Sequence, residues 1–519
     1  MRLKRILLCA LLLLLAACAS LPENYAREES WKLDASDTQL AQFFDQAIAA
    51  NPGESGAFPL GDGIEALAAR VALARAAEKS LDVQYYIWHG DESGTLLLKE
   101  LLDAANRGVR VRLLLDDIGV SERNDKVYRL LDAHPNVGVA LYNPIASRDA
   151  RTRGLLSEPL RLNHRMHNKS MTADNTLTIV GGRNIGNEYF SLDDLVNFAD
   201  MDVLAVGPVA SQVSDSFDLF WNSPQAFPIS AFHAQAVSAE QVKKAQEKLD
   251  ERVNESSGPY YQAMASSNFG MDLEQQKLMF FWGKIVVLYD QPEKTSGGGT
   301  TEVLLKQLAG VLGKTREDLL IVSPYFVPGE VGAQALVEAV QRGARVRVLT
   351  NSLASTDVGA VHAGYKKYRS SLLEGGVELF ELKPTRGADQ GGSGLSSAPG
   401  SSGASLHAKM FLIDNSMVFI GSMNLDPRSV QINTEMGLLI ENRNLEHVLE
   451  FGIDRILIND TYQVLLEPQN PDKPQGKQRL VWVDRAEGKE TRYTTEPDTT
   501  FWQRLGVGII GLLPVDSQL

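Results

Sequence analysis

Two stretches of this chain repeat one set of reactive side chains. The first is His167-Asn-Lys169 with Asp174 five residues further on, and the second is His407-Ala-Lys409 with Asp414. Each leads, after six residues, into a matching run: Gly181-Gly-Arg-Asn184 and Gly421-Ser-Met-Asn424. A histidine and a lysine two apart on an extended strand point the same way, so both reach one pocket. Leu177-Thr-Ile-Val-Gly and Met417-Val-Phe-Ile-Gly read as a second strand, with Asn184 and Asn424 just beyond its end. Each copy thus offers an imidazole, an ammonium and a carboxamide. Imidazole titrates near neutrality and serves as nucleophile or as acid and base. Two such sets face to face would surround a phosphate with fixed positive charge and hydrogen-bond donors, which a trigonal-bipyramidal phosphoryl transition state needs.

Each imidazole also needs an acceptor to fix its tautomer. Glu435, in Asn-Thr-Glu-Met-Gly, and Asp200, in Phe-Ala-Asp-Met-Asp, occupy corresponding places after their motifs, with Asp202 a second choice. Asp174 and Asp414 complete the reactive set by motif, although bracing the neighbouring loops suits them better than touching phosphate. No carboxylate cluster has metal-ligand spacing, so neither metal nor cofactor is expected. His134, His233 and His447 read as surface residues and His89 and His362 as structural ones; Arg161 and Arg165 would contact substrate or be solvated.

The positioning elements come in two rounds. Ile64 to Glu78 has helical spacing, Leu81 to Trp88 is strand-like, Thr95 to Arg107 is helical and stopped by Gly108, and Val109 to Leu115 is a strand. The second round is a helix over Thr301–Leu312, a strand over Asp318–Tyr325, a helix over Val331–Arg342 stopped by Gly343, and a strand over Ala344–Thr350. Asn-Arg-Gly-Val-Arg-Val-Arg-Leu-Leu-Leu in one half matches Gln-Arg-Gly-Ala-Arg-Val-Arg-Val-Leu-Thr in the other, so the chain is internally duplicated. The order predicts an α/β fold: two domains, each a central mixed β-sheet flanked by helices, packed as a pseudo-twofold pair. The expected division is a signal peptide over 1–17, a tether over 18–51, a first domain over 52–235, a helical linker over 236–282, a second domain over 283–465, and a C-terminal hairpin and apolar segment over 466–519. Ala239 to Glu251 should be a solvated helix of the linker, and the Ser/Gly-rich Gly387–Gly403 a surface loop or lid. Phe501 to Leu513 is too short to span a bilayer; it either packs on the core or docks at a membrane interface.

The paired motifs resemble those of the phospholipase D superfamily over nearly the whole chain past its leader. Within it, Val-Gln-Tyr-Tyr-Ile-Trp-His-Gly, Arg-Met-His-Asn-Lys-Ser, Gly-Gly-Arg-Asn-Ile-Gly-Asn and the closing Phe-Trp-Gln-Arg-Leu-Gly look most like the bacterial cardiolipin synthase branch. The resemblance implies a two-step displacement at phosphorus through a phosphohistidine, with His167 as nucleophile and His407 as acid and base; sequence alone allows the reverse. It implies that Lys169, Lys409, Asn184 and Asn424 bind the non-bridging oxygens. The implied substrates are phospholipids, phosphatidylglycerol first and phosphatidylethanolamine second, with transfer to an alcohol; hydrolysis to phosphatidic acid is the alternative, and a secreted nuclease a more distant one.

The N-terminus and the charge bear on the same choice. Arg2, Lys4 and Arg5 precede an apolar run, Ile6 to Leu15, which ends in Ala16-Ala17-Cys18. This reads as a cleaved export signal, and it resembles a lipobox that would place acyl chains on Cys18. Two chains hold a protein on a membrane durably. The expected location is the cell envelope facing the periplasm, on the outer membrane in preference to the inner. Cys9 and Cys18 are the two cysteines, so none remains for a disulfide. The net charge is −14. Nucleic-acid binders carry a basic excess, so a nucleic-acid substrate is disfavoured and a membrane lipid favoured.

Overall fold

The computed structural model describes residues 20–511 apart from 24, 28, 149, 194–196, 234, 257, 276, 297–302, 385–403, 471 and 473–475. The leader, Cys18 and the Ser/Gly-rich stretch over 387–403 lie outside the described residues.

Ladder hydrogen bonds connect eighteen strands among the described residues into one sheet. From one edge the order is Ala226–Pro228, Val137–Tyr142, Arg110–Gly119, Ser80–Ile87, Ser170–Ala173, Leu177–Gly181, Asp202–Val206 and Ser55–Leu60. Ser55–Leu60 then pairs with Phe281–Tyr289, and the order runs backwards: Met436–Glu441, Met417–Gly421, Met410–Ile413, Asp318–Val322, Arg345–Asn351, Glu378–Leu382 and Thr461–Pro468. The second half is the mirror order of the first, as a twofold axis between Ser55–Leu60 and Phe281–Tyr289 requires. In each half three parallel strands carry helices on both faces, and the strands that follow the two motifs run antiparallel beside them.

Local chemistry explains the elements. In Arg110–Gly119, Leu113 and Leu115 face the core under the helices Gly63–Ala76 and Glu92–Asn106, while Leu114 faces Phe217 and Phe220 of the helix Pro208–Trp221. A strand covered on both sides is apolar along its middle, and the charged residues this one buries, Arg112, Asp116 and Asp117, are each paired, with Asp82, Arg165 and Arg148. Glu92–Asn106 and Gly329–Gln341 end identically. Gly108 and Gly343 take φ of +100° and +102°, and the next amide, Val109 or Ala344, returns to the carbonyl of Ala104 or Ala339 at 3.1 Å. That closure needs a residue free to go left-handed, which is why glycine stands at both positions.

Three expectations need correction. The stretch expected as a tether is docked: Gln39–Ala50 is a helix with Phe44 in the first-half core, and Arg27, Ser30, Lys32 and Leu33 are bonded along that half. The signal was Leu40, Phe44 and Ile48 at helical spacing. The second half's first strand begins at Phe281, two residues before the expected boundary. Finally, His167–Lys169 and His407–Lys409 sit just before the strands Ser170–Ala173 and Met410–Ile413, not on them. The C-terminal hairpin forms, with Gln478–Asp484 between Thr461–Pro468 and Thr491–Tyr493. The helix Phe501–Ile510 follows it. No described helix is long and apolar enough to cross a membrane.

Candidate active site

Both motifs are positioned by chain from the opposite half. Arg165–His167 runs beside Thr434: the Thr434 amide donates to the Arg165 carbonyl at 3.0 Å, and the His167 amide to the Thr434 carbonyl at 2.9 Å. Asp116, at the end of a parallel strand, fixes this segment by accepting the Arg165 guanidinium (2.6 and 2.8 Å) and the Met166 amide (2.8 Å). Arg165 is therefore buried and neutralised, neither solvated nor open to a headgroup as expected; Arg161 bonds Glu158 and the Pro144 carbonyl. In the second half, Ala404–Leu406 forms a short parallel ladder with Asn197–Ala199 of the first. The His407 and Ala408 amides both donate to the Ala199 carbonyl, at 2.8 and 2.9 Å.

The exchange extends to the side chains. His167 Nδ1 donates to Glu435 (2.8 and 3.0 Å), and His407 Nδ1 to Asp200 (2.5 Å). Each imidazole is thus held by an acid from the other half. Asp202 is excluded from this role because it pairs with buried Arg70 at 2.8 Å. With a proton on Nδ1, the Nε2 of a neutral imidazole keeps its lone pair to attack or to accept a proton, and an imidazolium carries a second proton there to give.

The unlike residues in the two glycine runs complement the unlike acids. Ser422 Oγ donates to Glu435 and accepts the Met436 amide at 3.0 Å. At the equivalent Gly182, a Cβ would stand 2.1 Å from Asp200 Oδ1. Aspartate and glycine go together in the first half, as glutamate and serine do in the second.

The cluster is crowded with positive charge. Lys169 and Lys409 are buried, and each Nζ donates to the carbonyl of its own histidine, Lys169 at 2.7 Å. Burial brings Lys169 down to about 7 against the pull of Glu435, with Lys409 adding to the fall, and burial lowers Lys409 against Asp200 and Glu435. Burial, followed by Lys169, Lys409 and His407, drives His167 well below its ordinary value; His407 is lowered by burial and Lys409, with Asp200 opposing. Burial lifts Glu435 to about 7 against Lys169 and Ser422. Asp200, which burial would raise, is held below the usual range by His407 and Lys409. An anion among these groups would relieve their mutual repulsion.

Asn184 accepts the Ile87 amide at 3.2 Å and donates to Tyr189 Oη at 2.9 Å, whereas Asn424 Oδ1 is buried without a hydrogen-bond partner among the described residues. Aromatic rings wall the site. Tyr86 packs edge-on to His167 (4.9 Å between centroids), and Tyr189 and Phe198 flank His407 (5.3 and 5.1 Å). Sequence reasoning missed these rings, and also Thr434 and Arg428, whose charge is among those that lower His167; Tyr86 carried a signal, in the Gln-Tyr-Tyr-Ile run.

Asp174 and Asp414 do not join the cluster. Asp174 accepts the amides of Glu78, Lys79 and Ser80 (2.8–2.9 Å), and Asp414 those of Arg316, Glu317 and Asp318 (2.9–3.3 Å). Both sit at the far ends of the four-residue strands that follow the motifs, with φ of +50° and +48°. Their grouping with the reactive residues is corrected: they cap the start of a neighbouring parallel strand. His362 is buried between Glu496 and Arg369, at 2.9 and 2.7 Å. Among the described residues, His89 with Asp91 and Glu188, and His447 with Glu446 and Glu450, form two groups close enough to share a cation, which spacing alone did not suggest; neither includes a motif residue.

Fold and site together define a duplicated α/β enzyme with two crossed histidine–acid pairs around buried lysines. The family model described as "Cardiolipin synthase, PLD-like domain" matches residues 71–221 and 308–456, one match per half. The chain is 42% identical to cardiolipin synthase C of Escherichia coli K12 over 90% of its own length and 96% of that protein. It is 32% identical to an uncharacterized protein of Helicobacter pylori 26695, over 90% of each chain. The crystal structure of phosphatidylserine synthase from Haemophilus influenzae shares the fold, with a TM-score of 0.52 at 15% identity over 81% of this chain and 91% of that one. The chain belongs to the cardiolipin synthase family of phospholipase D-like enzymes.

Proposed function

We propose that this enzyme transfers a phosphatidyl group between membrane lipids, cleaving one phospholipid at its headgroup phosphodiester and passing the phosphatidyl group to a hydroxyl of phosphatidylglycerol to give cardiolipin. The observation that carries the reading is the pair of crossed dyads, His167–Glu435 and His407–Asp200, with two buried lysines between them. Membership of the cardiolipin synthase family and the absence of a basic excess support a lipid substrate over a nucleic acid.

His167, strongly biased to the neutral form, attacks phosphorus through Nε2, and the phosphorus–oxygen bond to the leaving alcohol breaks. His407 Nε2–H protonates that alcohol. Asp200, kept ionised, supports the imidazolium that this role requires. The phosphatidyl group now rests on His167 as a phosphohistidine. His407 then takes the proton of the incoming hydroxyl, whose oxygen attacks phosphorus and frees His167. Lys169 and Lys409 neutralise the non-bridging oxygens, so the charge needed at phosphorus comes from side chains, and the two nearest carboxylates are already committed to imidazoles. Acyl chains on Cys18 would hold the enzyme at the periplasmic face of the envelope.

The test is lipid analysis after incubating the enzyme with vesicles of phosphatidylglycerol and phosphatidylethanolamine in excess EDTA. Cardiolipin is the expected product, and His167→Ala and His407→Ala should each slow its formation by about 10²–10⁴-fold or more. Phosphatidic acid as sole product would make the enzyme a hydrolase, and turnover confined to DNA would overturn the lipid reading.

A further inference from the structure

The helix Phe501–Ile510 is packed lightly and turned outwards. It starts on a capping box, with Thr500 and Gln503 bonded reciprocally, so its register is fixed. Val507 alone is buried, against Leu353 and Ala363, with Ile510 half-buried beside them. Phe501, Trp502, Leu505 and Ile509 are 62%, 75%, 42% and 56% exposed. Their spacing puts them on one stripe. The helix holds Arg504 and no acid. A continuous apolar stripe of this kind on an acidic protein marks a contact surface.

Its place in the fold says what that surface meets. Leu353 lies in the turn after the strand Arg345–Asn351, and Asn351 holds both the amide and the carbonyl of Leu406, at 2.9 and 3.0 Å, one residue before His407. The same connection carries Asp357, which accepts the Tyr325 hydroxyl at 2.7 Å and is among the charges that act on Lys409. The stripe therefore flanks the active-site end of the sheet.

The N-terminal chain is led to that same end. Traced backwards, it passes the starts of the parallel strands, where Leu33 and Trp31 accept from Asn175 and Arg110 (2.6 and 2.7 Å). It then runs past Trp221 and Ser223, bonded through Arg27, and reaches Phe227, whose ring lies 5.4 Å from that of Tyr25. Phe227 pairs with Leu141, one residue before Tyr142, whose carbonyl meets Arg165. Cys18 and the apolar Ile6–Leu15 precede this point in the sequence. By contrast, the large apolar groove between Phe43, Met264, Phe280 and Trp282, about 1020 Å³, opens at the opposite end, beyond Leu177.

We propose that Phe501–Ile510 is an interfacial anchor that lies in the headgroup–acyl boundary of a phospholipid bilayer and sets the active-site mouth against the membrane. Trp and Phe settle at that depth, and Arg504, half-buried and bonded to Thr499, leaves the exposed stripe free of charge. The enzyme then reaches a headgroup phosphodiester while its acyl chains stay in the bilayer. This inference rests on the reading of the substrate as a phospholipid.

The test compares the chain from residue 19 onward, which has no acylation site, with its Phe501→Ser/Trp502→Ser and Phe43→Ser/Met279→Ser variants. Three quantities are measured: sedimentation with phosphatidylglycerol–phosphatidylethanolamine vesicles, turnover on those vesicles, and turnover on monomeric dihexanoyl phospholipid. The 501/502 variant should lose vesicle binding and vesicle turnover at least tenfold and keep its turnover on the monomeric lipid. Unchanged vesicle binding, or loss only in the 43/279 variant, would overturn the proposal. So would a parent dimer that the 501/502 change converts to monomer with vesicle binding intact, since the stripe would then join two copies. If no form turned over any phospholipid yet the 501/502 change still abolished vesicle binding, the anchor would stand and the substrate reading would fall.

Discussion

Glu435 reaches His167 with one methylene more than Asp200 uses to reach His407, and the residues behind the two acids differ to match. Gly182→Ser should push the Asp200 carboxylate off His407 Nδ1, because its Cβ alone would stand 2.1 Å from Oδ1. The expected outcome is a fall in kcat on the order of 10²-fold with little change in KM, read by steady-state kinetics. Wild-type kcat in that variant would mean that the His407–Asp200 bond does not matter. Lys169 gives a prediction in pH. In the empty site its pKa is brought down to about 7 by burial, and a bound phosphodiester anion restores it upwards. Binding is therefore coupled to proton uptake wherever the free lysine is neutral. The affinity for dimethyl phosphate, whose own charge is constant from pH 5 to 9, should be flat below pH 7 and fall as pH rises through and above it. Calorimetry in two buffers of different ionisation enthalpy would detect the proton; pH-independent binding would remove Lys169 from the phosphate site.

At the scale of elements, the two motif aspartates work as braces. Asp174→Ala releases three amides at the start of Ser80–Ile87, so it should cost roughly 2–4 kcal/mol in denaturant unfolding and leave the turnover per folded molecule near wild type. A variant that stays fully stable but inactive would return Asp174 to the chemistry. Much of this level was legible in the sequence. The helix-ending glycines at 108 and 343, the doubled apolar runs and the six-residue spacing to Gly181 and Gly421 are local signals, and local physics delivers them. The crossing of the acids was not legible: His167 and Glu435 stand 268 residues apart, His407 and Asp200 207, and no periodicity records which partner folds across. The aromatic walls escaped for the same reason. The docked helix Gln39–Ala50 was missed differently, since its apolar stripe is interrupted by enough polar residues to read as a tether.

On the scale of the whole molecule, Ser55–Leu60 is hydrogen-bonded to strands of both halves, and each motif leans on chain from the other. Separate unfolding of one half would strip the second of its acid and its supporting backbone. Calorimetry should show a single cooperative transition, moved upwards by saturating dimethyl phosphate because that anion binds the folded state alone. Two resolved transitions would mean that the halves are joined more loosely than the continuous sheet implies.

The mirrored strand order also bears on how such a molecule could arise. A half of this kind, dimerising about the axis beside Ser55–Leu60, would bring together two identical motifs through an isologous contact, each copy lending its acid to the other. Such a homodimer is bound to keep its two histidines alike, because one gene encodes both. Joining the copies into one chain removes that bond. Glycine with aspartate on one side and serine with glutamate on the other are then the mark of a symmetric ancestor released to specialise, with one imidazole free to become the better nucleophile and the other the better acid.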